Sequence, residues 1–186
     1  MRFMVGMIRA CLVLLMLAAV LPARAADYVD KAALDELFTE LKTVHDAGTA
    51  NDIVVQIWGL WFHPDVPDLA DRMERAGLAM ANRDFPAALA LLSAIVKDYP
   101  DYSEGWNQRA TLYFMMSDYD HSLEDIDKVL ALEPRHFGAL SGRVMIYLQQ
   151  GKRAEALKDM IAALAIDPYL DGRKYFPELS QNTTNV

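Results

Sequence analysis

Apolar residues fall three and four apart along most of this chain, the spacing that gathers them on one face of an α-helix. Leu34, Leu37, Phe38, Leu41 and Val44 make one such stripe, and Ile53, Ile57, Leu60 and Trp61 make a second. Asp30 is placed to cap the first predicted helix, which stops near Gly48; Thr49 starts the second, and His63-Pro64 ends it. Beyond residue 68 the stripes recur with a fixed period. Asp98-Tyr99-Pro100, Leu132-Glu133-Pro134 and Ile166-Asp167-Pro168 set prolines 34 residues apart. They divide the chain into blocks 69–102, 103–136 and 137–170.

Each block reads as a helical hairpin. A first helix ends in a polar turn, at Asn82-Arg83-Asp84, Ser117-Asp118 or Gln150-Gly151-Lys152, and a second helix runs from there to the proline. Small residues (Ala76 and Ala110 in the first helices; Ala88, Ser122 and Ala156 in the second) allow the paired backbones to approach closely. Leu92, Ile126 and Met160 fill the space one turn on. Asp84 and Asp118 stand where N-caps belong, and each closing proline breaks its helix because it lacks an amide hydrogen and clashes with the preceding turn. A lone hairpin cannot bury its apolar face, so the blocks must stack.

These residues carry a resemblance. In block 103–136, Trp106, Ala110, Tyr113, Asp118-Tyr119, Leu123 and Pro134 follow the pattern of the tetratricopeptide (TPR) repeat. Block 137–170 follows it through Leu140, Tyr147, Gly151, Ala156-Leu157, Ala163 and Pro168, and block 69–102 through Ala76, Asp84-Phe85, Ala88-Leu89 and Pro100. The resemblance implies an all-α fold, a right-handed α-solenoid of antiparallel helix hairpins with a concave groove. Residues 26–68 are expected to form a degenerate helical hairpin capping that stack. Residues 171–186 are expected to hold a capping strap with Tyr169, Leu170, Tyr175, Phe176 and Leu179, and a disordered tail from residue 180.

In this family the first helix of each repeat lines the groove. The resemblance places there Ala70, Met73, Gly77, Met80 and Ala81; Glu104, Asn107, Thr111, Phe114 and Met115; and Gly138, Ser141, Met145, Leu148 and Gln149. Some members grip a terminal carboxylate with Lys and Asn or Arg. Here Met73 and Gly77, and Gly138 and Gly142, stand instead, which argues against that function. A methionine-rich lining suits an apolar or amphipathic helical partner, or equally the protein's own termini or plain core packing. Asn107, Arg109, His136 and Ser141 are expected to form its polar spot. The repeat position usually held by a buried leucine is Arg75, Arg109 and Arg143, and Asp125 and Asp159 are available to pair with the last two; Leu91 stands opposite the first.

Composition narrows function further. Arg2 and Arg9 precede the apolar run Ala10–Leu21, and Ala23-Arg24-Ala25 follows Pro22, which predicts a signal peptide over 1–25 cleaved after Ala25. The run is short of the ~20 apolar residues that span a bilayer. Cys11 is the only cysteine and falls within that leader, so the exported chain would have neither disulfides nor a thiolate centre. Loss of the three leader arginines takes the net charge from −8 to −11, unfavourable for nucleic acid or anionic lipid. His45, His63, His121 and His136 show no metal-ligand spacing, and no phosphate loop or nucleophile motif occurs. The expectation is a periplasmic scaffold or adaptor binding a protein or peptide partner, with neither cofactor nor catalysis. The alternative is an accessory subunit of an envelope enzyme that modifies or assembles a polymer.

Overall fold

A computed structural model describes residues 28–179, which form eight α-helices and two short 3-10 turns; the leader with its Ala25 site and the tail from residue 180 lie outside the described residues. The helices are α1 Lys31–Leu41, α2 Ala47–Phe62, α3 Pro67–Ala81, α4 Phe85–Asp98, α5 Ser103–Met115, α6 Tyr119–Leu132, α7 Phe137–Gln149 and α8 Arg153–Leu164. Among the described residues no helix is long and apolar enough to cross a membrane. Helices α3/α4, α5/α6 and α7/α8 pair as hairpins and pack one upon the next. Pro100, Pro134 and Pro168 follow the ends of α4, α6 and α8.

The turns inside the hairpins repeat as closely as the helices do. Arg83, Ser117 and Gly151, 34 residues apart, each take a left-handed conformation, with φ of 58°, 60° and 71°. In each turn the following amide reaches back to close the helix: Asp84 N–H to Ala79 O, Asp118 N–H to Tyr113 O, and Lys152 N–H to Tyr147 O, at 2.8–2.9 Å. Asp84 and Asp118 then cap the next helix by accepting from Ala87 and His121. Ala76, Ala88, Ala110, Ala156, Leu92, Ile126 and Met160 are all buried. Ser122 stands among the alanines at no loss, because its hydroxyl donates to Ala110 O at 2.8 Å.

The arginine series is structural in two of its three members. Arg109 grips Asp125 with two bonds of 2.7 and 2.8 Å, and its other arm reaches Ser93 on α4. Arg143 grips Asp159 at 2.6 and 2.9 Å and also reaches Asp127 on α6. Each guanidinium thus joins its own hairpin to the preceding one, and fork-to-carboxylate geometry satisfies the charge. Arg75 has Leu91 opposite, so it turns out to solvent, 3.5 Å from Asp71.

The N-terminal pair departs from expectation in boundaries and in place. Helix α1 ends at Leu41, and Asp46 rather than Thr49 opens α2, because its carboxylate accepts the Thr49 amide at 2.8 Å. The hairpin does not add a fourth layer to the end of the stack. Instead Leu34, Phe38, Ile53, Ile57 and Trp61 bury against Phe137, Ile166 and Leu170, so the pair lies along the edge where one repeat passes to the next. Arg135 fixes the far end through Asp35 at 2.6 Å and over the Phe38 ring at 4.3 Å.

At the centre of this junction the Trp61 indole stacks on the His136 imidazole, with centroids 4.0 Å apart and planes 6° apart. His136 Nδ1 accepts the Ala139 amide at 3.1 Å, capping α7, so Nε2 carries the proton and donates to Glu104 at 3.0 Å. The amides of Asn107 and Gln108 donate to the same carboxylate, which is wholly buried. The Tyr102 hydroxyl donates to Trp61 O; burial pushes that phenol far up, so it remains a donor. At the other end, Phe176 seals Val144, Ala156 and Met160, whereas Leu170 joins the N-terminal cluster and Tyr169 and Tyr175 face solvent. The C-terminal strap therefore covers the last hairpin with the Phe176 ring and Leu179.

Two outcomes are expected on urea denaturation. Asp125→Ala, which strands the Arg109 charge, loses about 3 kcal/mol, whereas Arg109→Leu combined with Asp125→Leu returns to within ~1 kcal/mol of the parent. Glu104→Ala, which leaves three donors without an acceptor, also loses about 3 kcal/mol, and Glu104→Gln loses less.

Candidate functional site

Two cavities open on the face presented by the first helices. The smaller, of about 230 Å³, lies between α5 and α7 with α6 as its floor. Ala110, Ala139, Gly138 and Gly142 keep its walls low, Ile126 forms the base, and Phe114 and Met145 stand on either side. Thr111, Asn107, Ser141 and Ser122 contribute the polar atoms. Ser122 donates to Ala110 O, Asn107 to Glu104 and Thr111 to Asn107 O, which leaves Ser141 as the hydroxyl at the mouth. The larger cavity, of about 810 Å³, lies between α2 and α3 and is bounded by Trp58, Phe62, Met73, Gly77 and Gln108, among others.

The expected groove residues are thus divided. Asn107, Thr111, Phe114, Ser141 and Met145 meet in the smaller cavity, and Met73 lines the larger. Met80 packs into the core of the first repeat and Leu148 into that of the last, while Met115 is 44% exposed beyond both cavities. The expected polar spot does not form. Arg109 is turned into the junction between hairpins by Asp125, beneath Trp106, and His136 is fully buried under Trp61. Both side chains are consumed by structure because a buried charge or imidazole must be partnered.

Trp58 is the residue that sequence reasoning missed. Its ring lies over Gly138, where a Cβ would collide with it, and makes edge contacts with Phe137 and Trp61 at 5.5 and 5.2 Å. Helix α2 therefore fills the groove at the start of the third repeat and splits what remains into the two cavities. The signal available was a glycine at a groove position beside an unplaced tryptophan, with no period to link them.

No family model matches the chain. A TPR repeat-containing protein of Rhizobium etli is 39% identical over 145 residues, which cover 78% of this chain and 71% of that protein. The small glutamine-rich tetratricopeptide repeat-containing protein 2 of Saccharomyces cerevisiae is 27% identical over 89 residues, 48% of this chain and 26% of its own. The crystal structure of MamA shares the fold, with a TM-score of 0.50 at 19% identity, over 80% of this chain and 83% of that one. With three hairpins in a 34-residue register and a relative this similar over most of both chains, the chain belongs to the tetratricopeptide-repeat family, an α-solenoid of helical hairpins.

Proposed function

We propose that this chain is a periplasmic scaffold that binds a protein partner through the face of α3, α5 and α7, and that it performs no catalysis of its own. Its membership of a family of protein-interaction repeats supports the first part. The observation that carries the reading is the cavity between α5 and α7. Its volume, about 230 Å³, is below the ~300 Å³ typical of small-molecule sites. It suits one or two apolar side chains of a partner, the size of pocket that anchors a protein interface. Burying one leucine or phenylalanine there contributes about 1.5–3 kcal/mol. The basic start, apolar run and small-residue pattern before Ala26 support export.

Gly142 provides the test, because a Cβ there meets only the Ile126 side chain, at 3.7 Å. Gly142→Leu fills the cavity while improving helix propensity. The variant is expected to keep its thermal midpoint and to hold its captured envelope partner at least tenfold more weakly, about 1.4 kcal/mol. Equal capture would reject the cavity as the anchor. Mass spectrometry of the protein from a periplasmic fraction is expected to find Ala26 at the amino terminus; an intact Met1 form confined to the cytosol would reject export.

A further inference from the structure

The larger cavity carries a more specific chemistry than the smaller. It runs between α2 and α3, so it exists only because the N-terminal hairpin lies along the stack. Its apolar surface is presented to solvent: Val55 is 60% exposed and Phe62 38% exposed. Gly59 and Gly77 lie in the interiors of the two facing helices, and nothing stands within 4 Å of where a Cβ would be at either one. Packing therefore does not demand glycine there, although glycine weakens a helix interior. What the two glycines provide is bare backbone on both walls of an open channel.

The polar side of the channel has one sign. Asp71 and Glu74 stand together on the exposed face of α3, and no lysine or arginine lines the cavity. Arg75 only grazes Asp71, at 3.5 Å, and Glu74 makes no ion pair among the described residues. The whole chain carries a net charge of −8, which reinforces the local field. A second copy of the chain would bring like charge to like charge.

We propose that the α2–α3 channel binds a cationic amphipathic segment of a partner, its apolar face laid over Gly59 and Gly77 and its lysines or arginines toward Asp71 and Glu74. This rests on the reading of the first-helix face as a protein-binding surface, and it adds the charge class of what is bound and a second place of contact. Helix-in-groove recognition needs an apolar floor of this kind, and the acidic rim selects among amphipathic segments by charge.

The test uses the purified protein and two fluorescently labelled 18-residue amphipathic helices, one of leucine and lysine and the other of leucine and glutamate, read by anisotropy. The lysine peptide is expected to bind saturably, one per chain, and the glutamate peptide at least tenfold more weakly. Asp71→Lys with Glu74→Lys is expected to invert that order. Gly77→Phe, which projects a ring into the channel, is expected to weaken the lysine peptide more than tenfold without lowering the thermal midpoint. Gly142→Leu is expected to leave its binding unchanged, which separates this channel from the anchor cavity. Absence of binding, equal binding of both peptides, or indifference to Gly77→Phe would overturn the proposal.

Discussion

The stacked pair of Trp61 and His136 is the contact on which the arrangement turns. One imidazole does three things at once: its flat face carries the indole of α2, its Nδ1 caps α7, and its Nε2 hydrogen bonds to a carboxylate rising from α5. Burying that carboxylate without a full set of donors would be costly, and Asn107 and Gln108 complete the set. The N-terminal hairpin is thereby joined to two repeats through a single polar node within an apolar seam. If this node were absent, α1 and α2 would be held by the apolar contacts around Phe137, the Tyr102–Trp61 hydrogen bond and the Arg135–Asp35 pair.

The position of this hairpin determines the shape of the face presented by the first helices. A regular stack of three repeats would present one continuous groove, but Trp58 reaches across to Gly138 and closes it at the third repeat. On one side of that closure lies a small apolar cavity, and on the other an open channel with an acidic rim. The same sequence element thus removes part of the ordinary groove and builds a new one.

Much of the solenoid was legible because its determinants are local or periodic. The caps at Asp84 and Asp118, the prolines after α4, α6 and α8, the alanines between paired helices and the Arg109–Asp125 and Arg143–Asp159 pairs all fall at fixed spacings within one repeat or between repeats. Arg75 shows why the pairing reads correctly: with Leu91 in place of an acid, the guanidinium leaves the interior. The N-terminal hairpin was legible as two helices but not in its place, because Trp61 meets His136 and Asp35 meets Arg135 across long sequence separations with no period to announce them. His136 looked like a groove residue for the same reason. From the sequence its neighbours are repeat positions, whereas in space its neighbour is α2.

Hydrogen exchange measured by mass spectrometry on the unmodified protein addresses this arrangement most directly. If α2 is locked onto the stack through Trp61, the amides of Ile57 to Phe62 exchange only with the cooperative opening that also releases α5 and α7, at the same free energy. Exchange of α2 far ahead of α5 and α7, as a separately opening unit, would contradict the account.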